Sequence, residues 1–137
     1  MVALTSAVRF HARQAPDRTA IIYGERRVTY GDLSDRAAGL AGFLAAKGIG
    51  KGDVVALLMK NSAAFIEIAL AVSHAGAVLL PINFRLAAAE VEYILQHAGA
   101  KLLFADEELE ASCGGFAGRV LVNERAQSDA GLLERGA

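Results

Sequence analysis

The sequence predicts an α/β fold with three layers, in which a mostly parallel sheet is flanked by helices and preceded by an N-terminal β-hairpin. Residues 54–59, 77–82 and 101–105 are apolar runs without alternation, which is typical of strands covered on both faces. Segments of helical periodicity separate these runs. Right-handed crossovers would then place helices on both sides of one sheet.

One helix and one hairpin are predicted ahead of these strands. Apolar side chains recur at helical spacing over residues 5–14, and Pro16 ends that helix. Two β-prone runs, 19–23 and 26–30, flank the dipeptide Gly24-Glu25. This is the pattern of a hairpin with a two-residue turn, in which Gly24 takes the positive φ.

The helix after the hairpin has clear signals at both ends. Thr29 is a candidate N-cap, and Asp32 three residues later resembles a capping box. Lys47 is predicted in the last turn, where its charge meets the negative end of the helix dipole. Gly48 can adopt the left-handed conformation and Ile49 can add the apolar contact of a Schellman motif.

Composition limits the classes of partner. Lys and Arg number 14 against 15 Asp and Glu, so the net charge of −1 gives no basis for binding nucleic acid.

The single cysteine, Cys113, excludes an internal disulfide and favours a reducing, cytoplasmic location. Residues 63–82 are mostly apolar but contain Glu67 and Pro81, so we predict a buried helix and strand there and no membrane span.

Apolar residues make up 54% of the 137-residue chain, above the usual share of about 45–50%. This excess predicts an apolar sheet face that polypeptide outside this chain would cover. Left uncovered, such a face would favour self-association.

No complete catalytic or metal site is predicted from the residues themselves. The glycines within 48–52 follow a helix and precede a strand, the reverse of a phosphate-binding loop, so we interpret them as a helix cap and a turn. His11, His74 and His97 lie in separate elements without a ligand pattern. Cys113, beside two glycines, is predicted to be flexible, exposed and without a catalytic role.

Three polar residues lie just past the ends of predicted strands: Asn83, Arg85 and Asp106. Ligands of open α/β sheets bind at the carboxyl ends of the strands. A guanidinium such as that of Arg85 could hold a phosphate or carboxylate there through two parallel hydrogen bonds. A surface salt bridge is the alternative, and the residues alone favour it.

Three segments, which occur in the same order along the chain, also resemble segments of known proteins. They are residues 11–23, the motif Val28-Thr-Tyr-Gly-Asp-Leu33, and residues 75–86, which read Ala-Gly-Ala-Val-Leu-Leu-Pro-Ile-Asn-Phe-Arg-Leu. Over about residues 8–106 the chain resembles the N-terminal end of the adenylate-forming acyl-CoA synthetases, the AMP-dependent synthetase and ligase family. The last two segments resemble its first and second core motifs, with Asp32 in place of the usual Glu.

The resemblance implies that residues 1–106 are the N-terminal α/β part of a larger ligase domain. Residues 107–137 would be a weakly structured continuation with a candidate short strand at 119–122. The full-length enzyme would convert a carboxylic acid, ATP and CoA into acyl-CoA, AMP and pyrophosphate through an acyl-adenylate, with Mg²⁺ as its metal and a long-chain fatty acid as the expected acid.

The resemblance also implies what this chain should lack. The family's phosphate loop, its acidic ATP-binding residues and its lid lysine do not occur in the sequence. We therefore expect no catalytic or metal-ligating residue, no bound cofactor and no activity from the chain alone. Arg85 in the Asn-x-Arg-Leu segment would contact a CoA phosphate, although Phe84 replaces the more common Pro. The alternative is a non-catalytic binding or interaction module derived from the same family.

Overall fold

The order of elements follows the predicted alternation of strands and helices. In this computed structural model, residues 10–23, 26–60 and 63–122 are described, and residues 10–14 are helical. The elements after that helical turn are β1 (Thr19–Tyr23), β2 (Arg26–Thr29), α1 (Tyr30–Ala46), β3 (Val54–Leu58), α2 (Ala63–Ala75), β4 (Val78–Pro81), α3 (Ala88–Ala98), β5 (Ala100–Asp106), a 3-10 helix (Glu107–Cys113) and β6 (Arg119–Val122). Most of the predicted first helix and the Gly24-Glu25 turn lie outside the described residues.

Four strands form one parallel sheet in the order β4-β3-β5-β6, and β1 and β2 form a separate antiparallel pair. The first two predicted sheet strands are neighbours, with Val54 opposite Val78 and Leu57 opposite Pro81. β5 pairs with the other side of β3. The predicted fold class is confirmed. The candidate strand at 119–122 is present as β6. The division of the chain at residue 106 stays a prediction.

Helices cover both faces of this sheet. Val55 and Leu57 of β3 point into a core shared with α1 and α2, whereas Ala56 and Leu58 point into a core shared with α3 and the 3-10 helix. All four side chains are at most 1% exposed. The prediction of an uncovered sheet face is therefore wrong for the central strands, because the two crossover helices lie on opposite sides.

β4 is less buried than the sequence predicts. We expected residues 77–82 to be covered on both faces, but Val78 is 50% exposed because β4 lies at an edge of the sheet. The Val78 amide donates to Asp53 O, directly before β3, at 2.7 Å, and the Ile82 amide donates to Leu57 O of β3 at 2.8 Å. Pro81 alternates with them, so its nitrogen faces away from β3 and its missing N–H costs no ladder bond.

The predicted ends of α1 are confirmed in most details. Thr29 Oγ1 accepts a hydrogen bond from the Asp32 amide at 3.1 Å. At the other end Gly48 has a φ of 76°, and the Ile49 amide donates to Leu44 O at 2.9 Å, which is the Schellman pattern. Lys47 is the C-cap residue and not part of the last turn.

A buried ion pair joins α1 to α2. Glu67 is fully buried, and its Oε1 lies 3.6 Å from Nε of Arg36. The apolar stretch that contains Glu67 forms α2 and then β4, as predicted. Within the described ranges, no helix combines the length and the apolar character needed to cross a bilayer.

Alanine substitutions at two glycines are expected to change the free energy of unfolding in opposite directions. Gly76 ends α2 at a φ of 74°, and an added Cβ would meet only ordinary contacts, 3.7 Å or more away. The cost of Gly76→Ala is therefore conformational, about 1 kcal/mol of unfolding free energy. Gly39 lies within α1 in open space, so Gly39→Ala should stabilise by about 0.5–1 kcal/mol. Urea unfolding followed by circular dichroism measures both, and equal effects would contradict the assigned backbone.

Candidate functional site

The carboxyl ends of β3 and β5 mark the topological switch point of the sheet. From β3 the chain crosses to β4 on one side, and it then returns past β3 to β5 on the other. Crevices at such points are where open α/β sheets bind ligands. The residues that leave this edge are Lys60 after β3, Asn83, Phe84 and Arg85 after β4, and Asp106 at the end of β5.

Lys60 and Asp106 connect the two strands at the switch point. The Lys60 amide donates to Asp106 Oδ2 at 2.9 Å, so this carboxylate fixes the backbone that follows β3. The Lys60 ammonium lies 3.0 Å from Glu108 Oε1. Both side chains of that ion pair are more than half exposed, so the pair adds little to stability and its partners can exchange.

Arg85 is held beside an aromatic ring. Asn83 Oδ1 accepts a hydrogen bond from the Arg85 amide at 3.0 Å, which forms an Asx turn directly after β4. The Arg85 guanidinium carbon lies 5.4 Å from the centre of the Phe84 ring. In the described part of the chain Arg85 has this cation–π contact and no ion pair, so the salt-bridge alternative is not what the structure contains.

The structure thus gathers all three predicted strand-end residues, Asn83, Arg85 and Asp106, at one edge. Sequence reasoning missed Lys60 and Glu108. Lys60 could have been found, because it directly follows the predicted strand 54–59. Glu108 could not, because its role depends on the 3-10 helix turning back toward β3.

The glycine-rich turn lies at the amino-terminal ends of the strands, on the side of the sheet opposite the candidate site. The Gly50 amide donates to Asp53 Oδ2 at 2.8 Å, and Lys101 Nζ lies 3.1 Å from Asp53 Oδ1. The Gly50 N–H, and then Lys101, hold the pKa of the Asp53 carboxyl below its usual value. These contacts belong to a tight turn, so the interpretation of the glycines as a cap and turn is confirmed.

Cys113 differs from its prediction. The side chain is fully buried in the core beneath α3, with Sγ 3.7 Å from Leu109 O. Burial raises the pKa of the thiol, which disfavours the reactive thiolate. The expected exposure was wrong because the 3-10 helix packs against α3. Among the described residues, no group of three or more His, Cys, Asp or Glu side chains could hold a metal ion.

Comparison with known proteins identifies the family. The sequence profile of the family described as AMP-binding enzyme matches residues 8–134. The chain belongs to this family. The predicted resemblance is therefore confirmed, and the parallel sheet with its N-terminal hairpin is the family's N-terminal fold.

The relatives of this chain include acyl-CoA ligases and other acyl-activating enzymes. The peroxisomal benzoate–CoA ligase of Arabidopsis thaliana is 47% identical over 96 residues, which are 70% of this chain and 17% of that enzyme. The feruloyl-CoA synthase of Amycolatopsis is 40% identical over 120 residues, 87% of this chain and 24% of that enzyme. The chain thus spans a quarter or less of the length of these relatives.

A solved structure repeats this relation. The fatty acyl CoA synthetase of Mycobacterium tuberculosis is similar with a TM-score of 0.80 and 29% identity, over 97% of this chain and 29% of that one. The similarity therefore covers the elements that form both the sheet and the candidate site. The remaining length of these enzymes has no counterpart in the chain.

Proposed function

We propose that the chain is the N-terminal part of an ATP-dependent acyl-CoA ligase, which joins a carboxylic acid to CoA through an acyl-adenylate. The family match over residues 8–134 carries the proposal, because it covers nearly the whole chain but less than a third of the similar enzymes. In this proposal residues 1–106 belong to the large domain and residues 107–137 continue it. The chain alone is inactive, because catalysis with ATP, CoA and Mg²⁺ requires the longer protein.

The proposal assigns the residues present here an architectural role and one ligand contact. Arg85 contacts a phosphate of CoA. Three features support this role: its position at the switch-point edge, its exposure, and a guanidinium that no carboxylate in the described residues neutralises. The described residues contain no group of three or more side chains that could hold a metal ion, and in this proposal Mg²⁺ is held by residues of the longer protein.

For the longer protein we propose a long-chain fatty acid as the substrate and the cytoplasm as the location. The structural similarity to a fatty acyl CoA synthetase supports an aliphatic acid. The names of other relatives specify benzoate and ferulate, and two of the Arabidopsis relatives are named as peroxisomal. The test compares palmitate with benzoate as substrates of the longer protein, and a preference for benzoate would contradict the fatty-acid assignment.

A chimera tests the ligase proposal directly. Residues 10–122 replace the matching segment of the M. tuberculosis fatty acyl CoA synthetase, and acyl-CoA formation is measured. We expect activity within about tenfold of the parent, because an imperfect new interface costs on the order of 1.4 kcal/mol. The isolated chain should show no ATP–pyrophosphate exchange.

The control is the same host enzyme without the segment, which should be inactive. A folded chimera without activity would contradict the ligase proposal and favour the non-catalytic module. ATP–pyrophosphate exchange by the isolated chain would contradict the proposed inactivity. That the isolated chain self-associates also stays a prediction. Sedimentation of the isolated chain measures its oligomeric state.

A further inference from the structure

We propose that Lys60 is a second cation of the phosphate site at Arg85, and that Phe84 is the positioning residue that holds both cations. The inference extends the proposed function, because it takes the Arg85 contact with CoA as its starting point. The ligand class is a phosphoryl anion, such as the diphosphate of CoA.

The Phe84 ring is the shared support. The Lys60 ammonium lies 5.7 Å from its centre and the Arg85 guanidinium carbon lies 5.4 Å from it. The ring itself is partly buried against the core beneath α3, so its position is fixed by packing. A cation near an aromatic face is attracted by the ring quadrupole. One ring therefore restrains two cations that follow different strands.

The backbones of both cations are restrained as well. Asp106 accepts from the Lys60 amide at 2.9 Å, and Asn83 accepts from the Arg85 amide at 3.0 Å. Each cation thus leaves the sheet edge from a hydrogen-bonded loop. Such preorganisation reduces the entropy that is lost when a ligand binds.

Glu108 is the competing group in this arrangement. Its carboxylate lies 3.0 Å from Lys60 Nζ, but its side chain is 61% exposed. An exposed pair is held weakly, so a phosphoryl anion can replace the carboxylate on Lys60. Glu107 and Asp106 are the other carboxylates of this segment, and Asp106 is engaged with the Lys60 amide. A diphosphate favours this exchange because its two phosphates together carry two negative charges and four non-bridging oxygens, whereas the carboxylate carries one charge and two oxygens.

The experiment titrates the 137-residue chain with inorganic diphosphate and separately with CoA, and binding is followed by NMR chemical shifts. Lys60→Gln should weaken diphosphate binding about fivefold, and Glu108→Gln should strengthen it about twofold. Phe84→Leu keeps an apolar side chain but removes the ring, and should weaken binding about threefold. Phe84→Tyr keeps the ring and should bind like the wild type.

Lys101→Gln is the matched control. Lys101 is also an exposed lysine in an ion pair, with its Nζ 3.1 Å from Asp53 Oδ1 at the amino-terminal ends of the strands, and its loss should leave diphosphate binding unchanged. If Lys60→Gln and Phe84→Leu bind like the wild type while Arg85→Gln does not, the inference is overturned and the proposed CoA contact remains. If diphosphate binding depends on Lys60 but CoA does not bind, the inference holds and the proposed CoA contact fails. Absence of diphosphate binding by the wild type overturns the inference.

Discussion

Replacement of Phe104 by alanine is expected to lower the free energy of unfolding by about 3–5 kcal/mol. Phe104 lies in β5, between β3 and β6, and is 1% exposed. Its ring contacts Phe43 of α1, with the two ring centres 6.3 Å apart. Loss of the ring removes apolar contacts between the sheet and the helix and leaves a cavity that neighbouring side chains fill only in part.

Urea unfolding followed by circular dichroism measures this effect. Phe10→Ala is the control, because Phe10 is 58% exposed and its loss should change stability by about 0.5 kcal/mol or less. Phe104→Leu, which keeps most of the volume, provides a milder variant if the alanine variant does not unfold cooperatively. A loss below about 1 kcal/mol for Phe104→Ala would contradict the central position of β5.

In the active chimera, Arg85→Ala is expected to raise the KM for CoA about tenfold, the lower end for a charge-assisted hydrogen bond at an exposed site. The kcat and the KM values for ATP and the fatty acid should not change, because the proposed contact is with CoA alone. Arg85→Lys should have an intermediate KM, since it keeps the charge but loses the planar fork.

Arg27→Ala is the matched control for this prediction. Arg27 is also an exposed arginine, but it lies in the hairpin strand β2, away from the switch point. Its replacement should leave the KM for CoA unchanged. An unchanged KM in Arg85→Ala, or an equal change in both variants, would remove Arg85 from the proposed CoA site.

Features fixed by neighbouring residues could be predicted from the sequence. The cap of α1 needs only Thr29 and the amide three residues later, and its Schellman motif needs Leu44, Gly48 and Ile49. The 3.6-residue periodicity of the helices and the continuous apolar runs of the sheet strands likewise indicated the types of most elements, because both reflect which positions face the core. The family resemblance rested on the same local segments.

Features that depend on how distant segments meet required the tertiary structure. β4 and β3 have similar apolar runs, but only the strand order leaves β4 at an edge and half exposed. The burial of Cys113 depends on the contact between the 3-10 helix and α3.

The candidate site divides in the same way. The sequence alone determined that Asn83, Arg85 and Asp106 follow strands, and therefore that they lie at the ligand-binding edge of an α/β sheet. Only the tertiary structure decided that Lys60 and Arg85 share the ring of Phe84, and that Asp106 binds a backbone amide 46 positions away. The physical reason is that the crossover connections determine which strand ends become neighbours. Interactions between residues close in sequence do not determine this.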